Sequence, residues 1–430
     1  MTDSQAIQLN EIISKENPAV LAMLSERGKN IFFPKLGILS QAAQAKGKDI
    51  NATIGQAMTD EGKPMHLEGF DTLTNMEVEH MYPYAPSYGK PDLRAKWKEF
   101  LYEKNPSLAD TQISLPIATN GLTHAISMAA YMFVEEGDSV ISPDLYWENY
   151  DLIFKNSYKA DIATFSLFAQ GKFNVDGFSH ALKHATGPRK IVLLNFPNNP
   201  TGYSPSLDEI MEIKKVILEE AEAGNTVTVL IDDAYFGLVY KDEVYTESIF
   251  TQLANVHENV LAVKIDGPTK EDYVWGFRVG FITYGIKNAS AKLYETLEAK
   301  TAGALRGNIS NISNLSQSLL MKIYQSDKYM SYKQDKYNTL AARFAELESV
   351  LEEYADNEFF EPLPFNAGYF MCIQLKNGLE GEKIRQVLLE KYSTGVIVFG
   401  NVIRLAFSAV PQKSIRKLVE NIVAACTESK

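Results

Sequence analysis

The chain has 430 residues, of which 45% are hydrophobic and 22% are charged, and its net charge is −12. This composition excludes general disorder and supports one large unit plus a smaller one, while the acidic balance disfavours nonspecific binding to nucleic acid. No run approaches the ~18 apolar residues of a membrane span. The 2 cysteines provide neither a disulfide framework nor a set of metal ligands, so we expect no metal and a reducing, cytoplasmic location.

Short apolar runs alternate with amphipathic stretches through the middle of the chain. The patterns predict helices at residues 122–135 and 206–223, and strands at residues 139–143, 190–196, 226–231, 260–265 and 279–283. Near-continuous apolar strands between helices are typical of parallel sheets covered on both faces. We therefore predict an α/β fold with a mostly parallel central sheet flanked by helices.

The last hundred residues change character. A long helix is predicted at 331–356, followed by strands at 371–375 and 396–398 and helices at 381–390 and 414–426. This pattern is typical of a smaller α+β domain. We expect residues 1–65 to form an N-terminal arm and part of this small domain, residues 66–330 the large domain, and residues 331–430 the C-terminal part of the small domain.

Three motifs beside predicted strands carry chemistry. The turn-forming run from Asn195 to Gly202 follows one strand, at the sheet edge where doubly wound folds bind ligands. Asp232 follows the next strand, and a buried carboxylate there needs a cation. Lys270 and Arg278 have seven residues between them; a lysine can form an imine with an aldehyde, and an arginine can bind an anion. Alone, each motif also suits a structural turn or a solvated pair.

In order, spacing and strand context, the motifs together resemble the pyridoxal 5′-phosphate (PLP) enzymes of fold type I, specifically the class I/II, aspartate aminotransferase-like enzymes. The resemblance runs from about residue 50 to the C-terminus and makes residues 66–330 the PLP-binding domain. It implies that Lys270 holds PLP covalently and that Asp232 pairs with the pyridinium nitrogen. Tyr235 and Asn199 would bond the phenolic oxygen, and Arg278 the phosphate.

The resemblance extends to the start of the helix predicted at 122–135. The N–H groups of Leu122 and Thr123, with the Thr123 hydroxyl, would contact the phosphate, and Gly121 would allow close approach of the backbone. Thr269 keeps a hydroxyl beside the lysine. Gly267, however, stands where many members have a phosphate-binding serine.

An aromatic ring is expected to stack on the cofactor. Counting from Gly137 and Asp138, Trp147 takes that position, with Tyr146 as the second choice and a purely structural indole as the alternative.

Further resemblances concern the substrate and a second subunit. Arg404 matches the arginine that binds the substrate α-carboxylate, while Gly55 would line the substrate pocket and Asn149 would lie near the substrate. Arg306 resembles the arginine that reaches across a dimer to a distal carboxylate, although a solvated loop arginine is the alternative. Tyr84 matches a tyrosine that reaches the neighbouring subunit's phosphate, which implies a homodimer with composite sites.

These features predict an aminotransferase that moves an amino group between an L-amino acid and a 2-oxo acid by a ping-pong mechanism. Aspartate, glutamate or an aromatic amino acid would be the donor. A lyase, decarboxylase or cyclising synthase would use the same residues and is the alternative. A noncatalytic PLP-binding regulator is a more remote one, because Lys270 is present and no appended DNA-binding domain is visible.

Overall fold

The computed structural model describes residues 3–33, 37–70 and 75–430. Its strands are β1 (Ile50–Asn51), β2 (Ile117–Thr119), β3 (Ser139–Pro143), β4 (Asp161–Phe165), β5 (Phe168–Ala169), β6 (Lys172–Phe173), β7 (Arg189–Asn195), β8 (Thr226–Asp232), β9 (Val260–Asp266), β10 (Gly280–Gly285), β11 (Phe360–Pro362), β12 (Met371–Leu375), β13 (Thr394–Gly395), β14 (Ile397–Phe399) and β15 (Val402–Leu405).

Its helices are α1 (Ser4–Glu16), α2 (Pro18–Met23), α3 (Glu26–Asn30), α4 (Ile38–Gln44), α5 (Val78–Met81), α6 (Pro91–Lys104), α7 (Leu122–Phe133), α8 (Val175–His184), α9 (Leu207–Glu222), α10 (Phe250–Leu253), α11 (Ala291–Asn308), α12 (Asn314–Tyr324), α13 (Tyr329–Glu353), α14 (Gly381–Lys391) and α15 (Gln412–Glu428). None of the helices in this part of the chain is long and apolar enough to cross a membrane.

A seven-stranded sheet in the order β2-β10-β9-β8-β7-β3-β4 forms the centre of the large domain. The strands from β9 to β4 pair in parallel, whereas β10 runs antiparallel to both β9 and β2. The mostly parallel α/β sheet is therefore confirmed. Two of its strands were not predicted, because β2 has only three residues and β4 is a half-exposed edge strand.

The register of the sheet brings the motifs together. Asn195 pairs with Asp232 at the ends of β7 and β8, and Asp232 pairs with Ile265 near the end of β9. The residues that follow these strands must therefore emerge at one edge. Lys270 follows β9, so it emerges beside the other two motifs.

A second, smaller sheet has the order β11-β12-β15-β14 and is entirely antiparallel. Its core packs against α13, α14 and α15. The N-terminal segment joins this unit, since β1 pairs with β13 and the Gln41 side chain bonds the backbone of Val398. Helix α13 crosses from one core to the other between Leu340 and Phe344. We propose the three-part division above, with its second boundary at the start of α13.

The chain enters the small sheet through a segment that is packed tightly on the large domain. The N–H groups of Asn366 and Ala367 both donate to the carbonyl of Gly202, at 2.9 and 2.8 Å. Gly202 has φ +71°, and a Cβ there would lie 1.8 Å from the carbonyl oxygen of Phe370. Only glycine fits this crossing.

Candidate active site

A cavity of about 600 Å³ opens at the edge of the large sheet where the motifs meet. Most of the predicted site residues line it: Gly55, Leu122, Thr123, Trp147, Asn199, Asp232, Tyr235, Thr269, Lys270, Arg278 and Arg404. Gly121 lies directly beneath the Arg278 guanidinium. Three further predicted residues, Tyr84, Asn149 and Arg306, lie outside this cavity.

Asp232 is 3% exposed and ends β8. The Tyr150 hydroxyl donates to Oδ2 at 2.5 Å, and the N–H of Ala234 donates to Oδ1 at 3.1 Å. Burial raises the pKa of this carboxyl to about 6, although the Tyr150 bond and the nearby Lys270 amine oppose the rise. Tyr150 is a site residue that the sequence analysis missed.

Lys270 projects into the same cavity, with its Nζ 5.2 Å from the centre of the Tyr235 ring. Burial lowers the pKa of its amine; Asp232 raises it, Arg278 lowers it again, and the result is about 8. A lysine with this pKa has roughly a fifth of its amine neutral near physiological pH, far more than an ordinary lysine. Its amine can therefore act as a nucleophile or a base.

One end of the cavity is built to bind an anion. Helix α7 begins there with Leu122, so its first N–H groups and the positive end of its dipole face the cavity. The buried Oγ1 of Thr269 has no hydrogen-bond partner among the described residues. Arg278 completes this end, and a Cβ at Gly121 would lie 2.5 Å from its Nη2. Gly121 therefore leaves room for the guanidinium.

Gly267 also has a packing reason to be glycine. A Cβ at this position would lie 2.9 Å from Gly280 Cα, 3.0 Å from the Val279 carbonyl oxygen and 3.2 Å from Leu122 Cδ1. The family's serine therefore does not fit without movement of the backbone.

We expect Gly267→Ser to destabilise the protein by about 1–3 kcal/mol through overpacking. Thermal unfolding of the variant checks this. Gly303→Ser, on the open surface of α11 where a Cβ meets nothing within 4 Å, is the matched control. An unchanged midpoint for Gly267→Ser would show that this close approach is not rigid.

Arg404 lines the same cavity. It is 3% exposed; Nη1 donates to Asn199 Oδ1 at 3.3 Å and Nη2 to the carbonyl of Thr53 at 3.2 Å. The guanidinium lies over the Phe370 ring at 4.4 Å, and its Nε has no partner in the described part of the chain. A buried guanidinium with spare donors can bind a carboxylate.

The aromatic residues near the cavity separate into two groups. Trp147 lines the cavity and packs edge-on against Tyr150, with ring centres 5.6 Å apart. Tyr146 instead stacks on the same tyrosine and donates to Asp151 at 3.0 Å. Asn149 lines an adjoining pocket that shares Trp147 with the main cavity. The position of Trp147 favours it over Tyr146 for stacking.

Two of the predicted residues are on the surface. Tyr84 is 90% exposed. Arg306 is exposed in the last turn of α11, where its charge suits the negative end of the helix dipole. The loop after Tyr84 is close to the end of this helix, since the Ser87 hydroxyl donates to the carbonyl of Ser310 at 2.9 Å.

The carboxylate next to Asp232 belongs to a different environment. Asp233 forms a buried ion pair with Lys264, which also lies 3.4 Å from Asp266, and accepts from the Ser248 hydroxyl at 2.6 Å. Neighbouring residues of an extended segment face opposite sides. Of the two acids, only Asp232 lines the cavity.

Comparison with known proteins identifies the family of the chain. The model of the family "Aminotransferase class I and II" matches residues 77–422, so the chain belongs to that family. An aspartate aminotransferase of Pyrococcus horikoshii is 23% identical over 81% of this chain and 86% of its own. One of Bacillus sp. strain YM-2 is 26% identical over 57% of this chain, and the match spans 59% of that relative's length.

A crystal structure of an aminotransferase from Anaerococcus prevotii superposes with a TM-score of 0.83 at 27% identity, covering 95% of this chain and 99% of that one. The fold-type I architecture predicted from the sequence is thereby confirmed.

PLP, the cofactor of this family, fits the residues present. The unpartnered Thr269 hydroxyl, Arg278 and the first N–H groups of α7 suit its phosphate. Asp232 suits the ring nitrogen and Lys270 the aldehyde.

Proposed function

We propose that the protein is a PLP-dependent aminotransferase that works by a ping-pong mechanism. The observation that carries this is the placement of the Lys270 amine and the Asp232 carboxylate in one cavity, which is also lined by Arg404 with its unpartnered Nε. Bound PLP supplies an electron sink for the electrons left when an amino acid loses its α-proton. The remaining work belongs to the protein.

Each residue contributes a separate task. Arg404 binds the substrate α-carboxylate and so orients the α-carbon, and its burial removes competing water. Lys270 Nζ accepts the α-proton and returns it to a different atom of the substrate and cofactor pair. Asp232, held by Tyr150, would keep a proton on the ring nitrogen of bound PLP. Trp147, which lines the cavity, would pack against the cofactor ring.

A single-turnover experiment tests the proposal. The enzyme is mixed with an L-amino acid and no acceptor. An aminotransferase releases one equivalent of 2-oxo acid per site and then stops until a second 2-oxo acid is added. Continuous release of ammonia or carbon dioxide would instead assign the lyase or decarboxylase activity, which uses the same residues.

We also propose a homodimer with composite sites in a reducing, cytoplasmic location. Tyr84 is exposed away from its own cavity, which suits a contact with a second subunit. Both cysteines, Cys372 and Cys426, are buried free thiols.

The substrate proposal depends on Arg306. If this exposed arginine reads a distal carboxylate in a second subunit, glutamate or aspartate is one partner. We then expect Arg306→Leu to lower kcat/KM for dicarboxylates by roughly a hundredfold or more, since a buried carboxylate left unpaired costs about 3–5 kcal/mol. Activity with aromatic amino acids should change much less.

Lys300→Leu, another exposed cation on the same helix, is the control for loss of surface charge. Steady-state kinetics with glutamate and phenylalanine separates the outcomes. Equal losses on both substrates, or no loss on glutamate, would show that Arg306 does not read the side chain.

A further inference from the structure

Two buried carboxylates come directly after Lys270. Glu271 is 5% exposed and Asp272 is 1% exposed. Neither lines the cavity, so neither has a part in the proposed chemistry. A pair of adjacent buried acids is costly unless cations and hydroxyl groups compensate both of them.

The compensation comes from lysines on two different helices. Lys104, at the end of α6, contacts Glu271 Oε1 at 2.7 Å, and Lys333, in the second turn of α13, contacts Oε2 at 2.6 Å. Burial raises the pKa of Glu271, but the two lysines outweigh it and lower the pKa to about 2. The carboxylate is therefore held as an anion between two cations.

Asp272 is bound in the same cluster. The hydroxyls of Tyr324 and Tyr329 donate to its two oxygens at 3.0 and 2.9 Å, and Lys333 lies 3.0 Å from Oδ1. Lys333 is thus the one described cation that contacts both acids. Through Lys333, the two residues that follow Lys270 are joined to α13, the helix that passes from one core to the other.

This cluster matters because Lys270 lies in a connection between β9 and β10. The Lys270 carbonyl accepts hydrogen bonds from the Tyr369 hydroxyl at 2.7 Å and from the Tyr273 N–H at 3.4 Å. Tyr273, three residues on, is in the left-handed region with φ +59°. Anchoring Glu271 and Asp272 therefore fixes the backbone from which the reactive side chain projects.

We propose that Lys333, supported by Lys104, is a positioning residue for Lys270: by clamping Glu271 and Asp272 it keeps the Lys270 amine at the Asp232 side of the cavity. The inference rests on the proposed role of Lys270. A displacement of about 1 Å of a reacting group costs roughly a hundredfold in rate, so a clamp on the adjacent residues has a measurable effect.

The test compares Lys333→Met with Lys336→Met. Lys336 lies on the same helix and is also largely buried, but its partners are Glu68 and Asp335. The first readout uses cofactor-free protein: the pH dependence of labelling at Lys270 by an amine-directed reagent, located by peptide mapping. The titratable and charged groups facing the amine are Asp232, Arg278 and Tyr235, and none of them is altered.

In the wild type, the labelling midpoint is expected near 8. In Lys333→Met it should rise by about half a pH unit or more, because a loosened amine regains water and its pKa moves toward the ordinary value. The second readout is kinetic: kcat should fall roughly tenfold or more while KM, set by Arg404 in the other unit, changes little. Lys336→Met should leave both readouts unchanged.

Tyr324→Phe keeps every charge and removes one hydrogen bond to Asp272. It therefore serves as the test variant if Lys333→Met does not fold. It should shift both readouts in the same direction by a smaller amount. Wild-type labelling and kcat in these variants, or equal shifts in Lys336→Met, would overturn the proposal. Because labelling needs no substrate, failure of the transamination proposal alone would leave this readout intact.

Discussion

Lys270→Ala is expected to reduce transamination to less than about one ten-thousandth of the wild-type rate, since the variant loses both the nucleophile and the base. Cofactor binding should persist without a covalent link, because Arg278, Asp232 and the start of α7 remain. Absorbance during PLP titration measures the binding, and a coupled assay measures the rate. Undiminished transamination would contradict the assignment.

A chemical control accompanies this variant. Borohydride treatment of the wild-type holoenzyme should attach the cofactor to the peptide that contains Lys270. The other buried lysine in this part of the sequence, Lys264, is held by Asp233 and Asp266 behind the sheet edge. Modification of Lys264 instead would show that the lysine has been misassigned.

Replacement of Asp232 with asparagine should lower kcat by about a thousandfold, because the ring nitrogen loses the buried anion that keeps it protonated. Steady-state kinetics on fully loaded enzyme measures this. KM should change little, since Arg404, the proposed ligand of the substrate carboxylate, is not altered.

The same substitution should stabilise the cofactor-free protein at neutral pH. In the fold, the pKa of Asp232 is raised to about 6 from 3.8, so this group favours folding below the unfolded-state value and loses that contribution as pH rises through about 6. The difference corresponds to about 3 kcal/mol. Unfolding of the two cofactor-free proteins at pH 4 and pH 8 checks this, with the gap expected at pH 8.

Asp233→Asn is the neighbouring control, and from the sequence we expect it to be tolerated far better than a change at Asp232. Because Asp233 forms a buried ion pair with Lys264, the cost expected at this position is in stability rather than in activity. We expect kcat per folded enzyme to stay near wild type. The free energy of unfolding should fall by about 3–5 kcal/mol, because Lys264 loses its contact with the Asp233 carboxylate and retains the one with Asp266. A larger loss of kcat here than at Asp232 would indicate that the register is off by one.

Elements with a strong local pattern in the sequence were predicted, and those without one were not. Strands β7, β8 and β9 are nearly continuous apolar runs, so they were predicted to within a residue or two. Edge strand β4 alternates exposed and buried positions weakly and has no such signal. Helix α9 was predicted from the helical spacing of its apolar residues, and in the structure Ser206 and Glu209 form a capping box at its start.

The site shows the same distinction. Asp232, Lys270 and Arg278 were found because motifs place them beside strand ends. Tyr150 meets Asp232 across 82 positions of sequence, and nothing in the spacing of its aromatic neighbours indicates this contact. From the sequence, Lys333 has the pattern of a solvated lysine on a charged helix. In the fold it contacts two buried acids. Such pairings depend on tertiary packing, which periodicity does not describe.

The crossing at Gly202 has a consequence for how this chain tolerates substitution. The Cβ of any side chain there would lie 1.8 Å from the Phe370 carbonyl oxygen, far inside van der Waals contact, so every replacement should be eliminated in a library sorted for folded protein. At Asp232, the same sort should retain and even enrich neutral replacements, which only a screen for turnover would remove. Both positions lie near one cavity and would be invariant for opposite reasons. Gly202 would be kept because folding requires it, and Asp232 would be kept because turnover requires it although it destabilises the fold.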